Sequence, residues 1–327
     1  MRKLLCGLTL VLMGTAALLS CEGDDEGVLN AQIPARRVFD DGRELFFSKP
    51  DRDVRWLSWA PDGRRFAYLD SAGSSDFKVH VYDVATREDV VVATDAGGRV
   101  LWSPNGDYVL YNCDDSYWVV KPAGTGRRKI IAGFGITVDL DAYWSPDGKE
   151  IVWSAVRGPG YSRNIYIKDL DGGTPVRFSL DDYSAEYYPL WGPDGEWIAF
   201  YKYVLPDWGK FNRGDRCPVV IKNLKTSKVE IVWTDDNFQG VVCMSLCDWS
   251  ADGRYILLTV VSDPAGAGYW ELWVLALKTR RFKQVTCTPR WDRRDYSGKF
   301  GPDGMVYFPV FDYTGECFDI WRVDPKL

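Results

Sequence analysis

A short phrase that recurs six times in the sequence predicts an all-β fold, a six-bladed β-propeller. Each copy has an aromatic residue, a small residue and then Pro-Asp-Gly or a close variant. The six aromatic residues are Trp59, Trp102, Trp144, Trp191, Trp249 and Phe300. Successive copies are roughly 40–60 residues apart, a spacing typical of propeller repeats. Between the copies, polar and apolar residues alternate over short stretches, which indicates half-buried strands.

The third repeat shows the predicted blade most clearly. Its strands are expected at residues 141–145, 149–156, 164–170 and 174–180, with turns or loops that contain glycine between them. Four short antiparallel strands per repeat form one propeller blade. The other repeats follow the same order, so we expect six four-stranded blades.

The sixth repeat has too few strand patterns to form a blade alone. Only residues 305–310 and 318–323 have such a pattern after its phrase, whereas residues 43–48 form a spare strand ahead of the first phrase. We expect this N-terminal strand to complete the last blade. Such pairing closes the ring and removes exposed sheet edges.

The repeated phrase has a mechanical explanation as a turn. Proline presets φ for the second position of a type I turn, aspartate suits the third, and glycine takes the positive φ needed to enter the next strand. The small residue suits inner strands that converge near an axis, and the aromatic residue is expected to pack between neighbouring blades. The aspartates are therefore interpreted as turn formers rather than metal ligands.

The N-terminus has the pattern of an export signal. Arg2 and Lys3 precede an apolar stretch at 4–19, which has the length of a signal-peptide core and is followed at once by acidic residues. The stretch 18–21 (Leu-Leu-Ser-Cys) resembles the lipobox of bacterial lipoproteins, and this resemblance implies cleavage before Cys21 and its lipidation. An ordinary secretory signal stays the alternative. The expected domains are a signal peptide at 1–20, a lipidated flexible tether at 21–37 and the propeller at 38–327.

The repeats also resemble a known family. The phrase Trp-Ser-Pro-Asp-Gly-Lys at 144–149, the strand Ile-Tyr-Ile-Lys-Asp-Leu at 165–170 and the glycine turn after it are similar to the TolB-type propeller repeat of bacterial envelope proteins. The resemblance covers about residues 43–325. TolB proteins carry an α/β domain ahead of the propeller, whereas the tether occupies that place here. Similar repeats occur in propellers attached to serine peptidases and in some polysaccharide-active enzymes.

Charge and residue counts limit the chemistry. The formal net charge of −6 argues against nucleic-acid binding, which needs clustered Lys and Arg. His80, the only histidine, lies in the strand position that Tyr166 and Trp273 hold in other blades, so we expect a packed ring rather than a base or a ligand. No Gly-x-Ser-x-Gly phrase is present. The sequence predicts no catalytic residue, no metal-binding residue and no enzymatic activity.

No cofactor is predicted either. Acidic pairs in predicted loops, such as Asp114 with Asp115 and Asp181 with Asp182, lack the ligand spacing of a calcium loop and are interpreted as solvated loop ends. A structural Ca²⁺ or an ion in the channel stays open as an alternative, without an assignable site.

The loops opposite the Pro-Asp-Gly turns form the predicted binding face. Connections between blades, and between the second and third strands of a blade, lie on that face and include the longest and least repeated loops. Long loops on a rigid scaffold often carry binding sites, and aromatic residues with arginine suit protein hot spots. The predicted contact residues are Trp208, Phe211, Trp270, Trp291, Arg293, Arg294 and Tyr296.

Six cysteines remain when Cys6 of the signal and Cys21 are set aside, and an even number in an exported chain suggests disulfides. These candidates are Cys113, Cys217, Cys243, Cys247, Cys287 and Cys317. Cys217 with Cys243 or Cys247 would brace a long loop of blade 4, and Cys287 with Cys317 is a second pairing. The connectivity stays open.

These observations favour a lipid-anchored propeller in the bacterial cell envelope that binds a protein or peptide without catalysing a reaction. The N-terminal lipid is its expected membrane contact, and the propeller is expected to be monomeric. Two alternatives stay open. One is glycan binding by loop aromatic residues, and the other is a glycan lyase or hydrolase that uses paired carboxylates.

Overall fold

A computed structural model confirms the six-bladed β-propeller. It describes residues 42–49, 51–72, 77–132, 142–156, 163–179, 184–204, 218–233, 241–262, 269–287, 297–312 and 317–327. The predicted signal peptide, lipidated cysteine and tether lie outside these ranges. Within the ranges, no helix is long and apolar enough to cross a membrane.

The described strands form six antiparallel sheets of four strands each. Blades 1 to 3 contain β2 (Asp53–Trp59), β3 (Arg65–Ser71), β4 (Phe77–Asp83) and β5 (Asp89–Ala96); β6 (Val100–Trp102), β7 (Val109–Cys113), β8 (Ser116–Val120) and β9 (Arg128–Ala132); and β10 (Ala142–Trp144), β11 (Glu150–Val156), β12 (Arg163–Asp169) and β13 (Val176–Arg177). Blades 4 to 6 contain β14 (Ser184–Trp191), β15 (Trp197–Val204), β16 (Val219–Asn223) and β17 (Val229–Trp233); β18 (Val241–Trp249), β19 (Tyr255–Ser262), β20 (Tyr269–Ala276) and β21 (Arg281–Gln284); and β22 (Lys299–Phe300), β23 (Val306–Asp312), β24 (Cys317–Val323) and β1 (Glu44–Phe47).

Most predicted strands are confirmed within a few residues, but the fourth strand of blade 3 is shorter than expected. It spans Val176–Arg177 rather than 174–180. The Ser179 hydroxyl accepts a hydrogen bond from the backbone N–H of Ile165 at 2.7 Å, in the place where a longer strand would offer a carbonyl. The side chain thus substitutes for the backbone ladder and ends the strand early.

The N-terminal strand closes the ring as predicted. β1 pairs with β24 in an antiparallel register that sets Glu44 opposite Arg322, and these two side chains also form an ion pair at 2.6 Å. The ring of Phe46 packs edge to face on Tyr307 of the same blade and also contacts Trp59 of blade 1, with ring centroids 4.8 and 5.7 Å away. Closure is therefore held by backbone pairing, charge and aromatic packing together.

The motif aromatic residues pack against the preceding blade, which confirms the prediction made for them. Trp102 lies in an apolar cluster with residues of blade 1, and Trp144 lies in one with residues of blade 2. The indole N–H of Trp144 also donates to the carbonyl of Leu101 at 3.2 Å. Buried indoles contribute large apolar area and one directional hydrogen bond, so these residues fix the contact between neighbouring blades.

All six copies of the phrase form the predicted turn. Their glycines have φ between 67° and 82°, and each glycine N–H donates to the carbonyl of the small residue at 2.9–3.1 Å. In every copy the Asp or Asn side chain accepts from the N–H two residues later, as Asp62 does from Arg64 at 2.9 Å. The acidic side chains therefore stabilise the turns.

Candidate functional site

The inner strands place a set of dissimilar side chains at the axis of the ring. The residue directly before each motif aromatic residue varies among the blades, with leucine in two of them: Ser58, Leu101, Tyr143, Leu190, Asp248 and Lys299. All but Leu190 line a cavity of about 190 Å³. Its remaining wall comes from motif residues, namely Trp59, Pro61, Trp102, Ser103, Pro104, Trp144 and Phe300. The cavity therefore lies at the motif-turn end of the axis, on the face opposite to the predicted binding face.

Asp248 of blade 5 is the centre of the polar network in this cavity. The hydroxyl of Tyr143 in blade 3 donates to its Oδ1, and the backbone N–H of Phe300 in blade 6 donates to its Oδ2 at 2.8 Å. Lys299 Nζ lies 3.4 Å from Oδ1. Blades 3 and 5 are not neighbours in the ring, so the bond from Tyr143 spans the axis. We call Tyr143, Asp248 and Lys299 the axial network.

Lys299 is held from three directions. Its ammonium donates to the carbonyl of Cys247 at 2.7 Å, pairs with Asp248 and lies 4.6 Å from the centroid of the Tyr143 ring. Lys299 and Asp248 are 9% and 7% exposed, so water competes little for either charge. Burial lowers the pKa of the Lys299 ammonium, and the charge of Asp248 opposes that change.

Burial also acts on Tyr143. It raises the pKa of the Tyr143 hydroxyl well above its ordinary value, and the negative charge of Asp248 raises it further. The hydroxyl consequently stays protonated and remains a hydrogen-bond donor to the carboxylate. The axial network therefore keeps one arrangement of donors and acceptors.

A β-bulge sets the position of Asp248. The pairing of β18 with β19 shifts register between Leu246 and Asp248, so Cys247 is the extra residue. The Cys247 side chain is buried, with its sulfur 3.1 Å from the hydroxyl of Thr259. An extra residue in one strand re-aims the residues after it, which accounts for a carboxylate at the axis.

A second level of axial residues lies farther from the motif turns. Arg99 precedes β6, and its guanidinium carbon lies 5.4 Å from the centroid of the Trp56 ring in blade 1 and 6.0 Å from that of Tyr188 in blade 4. A side chain of blade 2 reaches a ring of blade 4 only across the axis. Trp56, Arg99 and Tyr188 thus surround the channel, and we call them the aromatic–arginine level.

Bulges also position the two rings of this level. Trp56 and Tyr188 have positive φ, 58° and 52°, at register shifts in β2 and β14. Both residues are three positions before the aromatic residue of their motif, as Arg99 is. A positive φ is costly for a bulky side chain, so the surrounding strands must hold these rings toward the channel.

The arrangement suits binding better than proton transfer. Both oxygens of Asp248 are already occupied by donors, so the carboxylate is poorly placed to act as a general base. Among the residues that the structure describes, no group of three or more His, Cys, Asp or Glu residues could hold a metal ion. What the axis offers a ligand is a shaped cavity with aromatic walls and fixed charges.

His80 is a packed ring, as predicted. It is 6% exposed and stacks on Tyr68 across the β3–β4 ladder, with ring centroids 4.9 Å apart. Tyr166 stacks on Trp153 in the same way in blade 3, at 5.8 Å. The shared geometry confirms that the histidine occupies an ordinary core position of the repeat.

Around His80 the structure adds an ion network that the sequence did not predict. His80 Nδ1 lies 2.9 Å from Asp89 Oδ1, and Lys49 pairs with Asp89 and Asp70 at 2.6 and 3.0 Å. Arg52 pairs with Asp70 as well. Lys49 and Arg52 belong to the connection from β1 to β2, so this closure network ties the end of the closing strand to blade 1.

Most predicted binding-face residues lie outside the described ranges: Trp208, Phe211, Trp291, Arg293, Arg294 and Tyr296. Trp270 is described. It lies in β20, opposite Val261 in the register with β19, and is 38% exposed. The predicted face therefore stays a prediction, and of its residues the structure describes Trp270 alone, at the end of the β19–β20 pairing away from the motif turn.

The disulfide prediction is wrong for Cys113 and Cys247, which are free and buried. Cys113 ends β7, where burial raises the pKa of its thiol, and Cys247 is the bulge residue of β18 rather than a loop residue. The side chains of Cys217, Cys243 and Cys317 lie outside the described residues. Pairing among these three and Cys287 stays a prediction.

The sequence prediction did not include the axial residues, because it was based on the positions that repeat in every copy of the motif. A signal was available in the residue before each motif aromatic residue, which varies while the turn after it repeats. Asp248 and Lys299 hold the same inner-strand position in adjacent blades and carry opposite charges. Opposite charges on converging strands predict an ion pair near the axis.

Comparisons with known proteins were made for sequence and for structure. No family model matches the chain. Over 196 residues, 57% of the chain, it is 25% identical to dipeptidyl-peptidase 5 of Porphyromonas gingivalis, and the match covers 26% of that protein. Over 123 residues, 36% of the chain, it is 31% identical to the Tol-Pal system protein TolB of Bordetella pertussis, covering 27% of that protein. The matches thus span about a quarter of the length of each relative.

Solved structures give wider coverage. TolB from Acinetobacter baumannii superposes with a TM-score of 0.55 at 18% identity, covering 84% of this chain and 63% of that one. An oligogalacturonate lyase in complex with manganese superposes with a TM-score of 0.54 at 11% identity, covering 88% of this chain and 98% of that one. Likeness at such identities shows the fold alone, and that fold is a TolB-like six-bladed propeller.

Proposed function

We propose that this protein is a non-enzymatic scaffold that binds a protein or peptide of the bacterial cell envelope at the axis of its propeller. The fold that it shares with TolB supports a binding role in the envelope. A peptidase is among the sequence matches and a lyase among the structural ones, so the likeness does not decide between binding and catalysis. The side chains of the site must carry that argument.

The observation that carries the proposal is the full occupation of Asp248. Its carboxylate receives the Tyr143 hydroxyl, the Phe300 N–H and the Lys299 ammonium. A buried charge that is paired and hydrogen-bonded stabilises one conformation, whereas a catalytic carboxylate must exchange a proton with its substrate. The axial network therefore suits a rigid binding surface.

The location is part of the same proposal. The lipobox-like stretch that ends at Cys21 favours a lipid anchor, and a flexible tether after it would let the propeller stand off a membrane. Labelling cells with an alkyne palmitate analogue tests the anchor. We expect label on the wild type and none on Cys21→Ser, and label on both variants would contradict lipidation of Cys21.

A pull-down from gently solubilised membranes tests the binding site, with a cavity-filling variant and a matched control. Leu101→Trp adds bulk at a residue that lines the cavity, whereas Val176→Trp makes a similar change at an outer strand residue that is 66% exposed. We expect the wild type and Val176→Trp to enrich the same partner and Leu101→Trp to lose it, at a temperature where thermal unfolding shows all three proteins to be folded. Equal enrichment by all three proteins would contradict binding at the axis.

Glycan binding is a second candidate, favoured by the exposed indole of Trp270. Aromatic faces at protein surfaces suit stacking on sugar rings. Sedimentation with insoluble polysaccharides would test it, using the wild type and Trp270→Ala. Retention that depends on Trp270 would support glycan binding, and no retention of the wild type would contradict it.

A further inference from the structure

The guanidinium of Arg99 differs in its partners from those of three other arginines that lie over aromatic rings. Arg65, Arg254 and Arg322 each lie over an aromatic ring and also pair with a carboxylate. Arg99 lies over Trp56 and Tyr188. Within the described part of the chain it forms no ion pair or hydrogen bond. Its donors are therefore not taken up by those residues.

The position of Arg99 makes these donors available to a ligand. The residue is half-buried and lies at the axis, between rings contributed by blades 1 and 4. Guanidinium planes that rest on aromatic faces keep their N–H groups directed outward in the plane. The rings thus hold the cation in place and leave its edge for an acceptor.

Neighbouring charge favours an anion at this place. Lys299 lies close enough that the charge of Arg99 contributes to the lowering of the Lys299 pKa, after burial. Lys299 is already paired with Asp248, whereas no carboxylate of the described residues pairs with Arg99. The chain as a whole has a formal net charge of −6, so the attraction for an anion is a local property of the channel.

We propose that the aromatic–arginine level is a subsite for a carboxylate group of an acidic peptide, bound by Arg99 between Trp56 and Tyr188. This inference rests on the proposed peptide-binding function. A carboxylate matches the planar fork of arginine with two parallel hydrogen bonds. A peptide fits better than an acidic sugar because the two ring faces already contact the guanidinium, which limits their use for stacking on a sugar.

The experiment uses the full chain in detergent and an array of dodecapeptides made in matched pairs. One member of each pair contains Asp or Glu, and the other contains Asn or Gln at the same positions. Affinities of the best pairs are then measured by fluorescence anisotropy. The variants are Arg99→Gln, which removes the charge, Arg99→Lys, which keeps the charge but loses the fork, and Arg65→Gln as a control. Arg65 also lies over an indole, that of Trp102, but is paired with Asp62.

We expect the wild type and Arg65→Gln to bind acidic peptides roughly tenfold or more tightly than their amide counterparts, the scale of a hydrogen bond to a charged group. Arg99→Gln should remove this difference at an unchanged melting temperature, and Arg99→Lys should retain part of it. Equal binding of both members of each pair, or an acid preference that survives Arg99→Gln, would overturn the carboxylate subsite while leaving peptide binding in place. Failure of every peptide to bind the wild type would overturn the proposed function as well. Arg99-dependent binding of oligogalacturonate without any peptide binding would assign the site to a sugar acid instead.

Discussion

The motif turns and the axial positions that precede them lie a few residues apart on the same inner strands. In the turns, six copies share one geometry, with glycine φ between 67° and 82° and an Asp or Asn cap. At the axis, the residue before the aromatic residue is different in nearly every blade, and Asp248 and Lys299 form a buried pair. The turns repeat because each blade needs the same bend.

The difference shows where the ring departs from symmetry. A repeated turn solves a local problem of backbone geometry and has no preference for one blade. An axial side chain faces all the other blades at once, so its contacts depend on the whole ring, as the bond from Tyr143 to Asp248 shows. Individual properties of this propeller therefore concentrate at the axis.

The largest expected effect comes from breaking the axial network. Asp248→Asn leaves the Lys299 ammonium buried without its counter-charge, and we expect a loss of about 3–5 kcal/mol in the free energy of unfolding. Asp252→Asn, in the motif turn of the same blade, should cost about 1 kcal/mol or less because asparagine keeps the capping oxygen. Urea denaturation of the two variants measures the contrast.

A double-mutant cycle with Lys299→Met checks the cause. If the unpaired ammonium is responsible, Asp248→Asn combined with Lys299→Met should be more stable than Asp248→Asn alone. A loss below about 1 kcal/mol for Asp248→Asn would show that the pair is not effectively buried.

A smaller effect is expected inside the motif, where copies look interchangeable but are not. Ser145 and Gly301 hold the same place in copies 3 and 6. A Cβ atom on Gly301 would collide with the ring of Tyr307, so Gly301→Ser should cost about 1–3 kcal/mol, as overpacking does. Ser145→Gly should cost less, because it creates no collision and loses only hydrogen bonds of the hydroxyl, chiefly its donation to Asp147 at 2.7 Å and its acceptance from the Glu150 N–H at 2.9 Å. Thermal unfolding of both variants decides, and a neutral Gly301→Ser would contradict the packing of blade 6.

The smallest expected effect is the pH dependence of the stability that the closure network contributes. Its carboxylates lie at the closure of the ring, away from the buried pair at the axis. Burial raises the pKa of Asp70 and of Asp89, but hydrogen bonds from Arg52 and Lys49 to Asp70, and from His80 and Lys49 to Asp89, outweigh it and leave both pKa values below the ordinary one. Their stabilisation is complete above about pH 4, where the unfolded carboxylates are also charged, and is lost as the pH falls further.

Urea denaturation between pH 7 and pH 3 tests this sign. Asp89→Asn should be less stable than the wild type at pH 7. The difference between their free energies of unfolding should become smaller as the pH falls below about 4. A difference in the free energy of unfolding that stays constant over this range would mean that Asp89 contributes no charge-dependent stability.

Local geometry explains how much the sequence could predict. The turns and most strands follow from patterns within a few residues, and the blade count and the closing strand follow from counting those patterns along the chain; the structure confirms them. The axial site depends on bulges at Trp56, Tyr188 and Cys247. One extra residue reverses which side chains face inward, and alternation alone does not show where such a residue lies.

The disulfide prediction for Cys113 and Cys247 also failed because the sequence does not show strand register. An even count in an exported chain favoured pairing, but Cys247 became a buried bulge residue and Cys113 a buried strand end. Which face a cysteine takes is decided by strand register, and register is a property of the folded sheet. All residues of the predicted binding face, including Trp270, stay a prediction on sequence grounds.

The central claim is that the axial residues bind the partner, whereas the motif turns only stabilise the fold. Pull-down of the membrane partner by two variants of blade 1 tests this claim. Trp56→Ala removes an axial ring, and Asp62→Asn changes a turn cap six residues away to the residue that copy 2 already has. We expect roughly tenfold weaker retention for Trp56→Ala, the scale of an aromatic hot spot, and no change for Asp62→Asn, in preparations with equal melting temperatures. Unchanged retention by Trp56→Ala, or an equal loss in both variants, would contradict it.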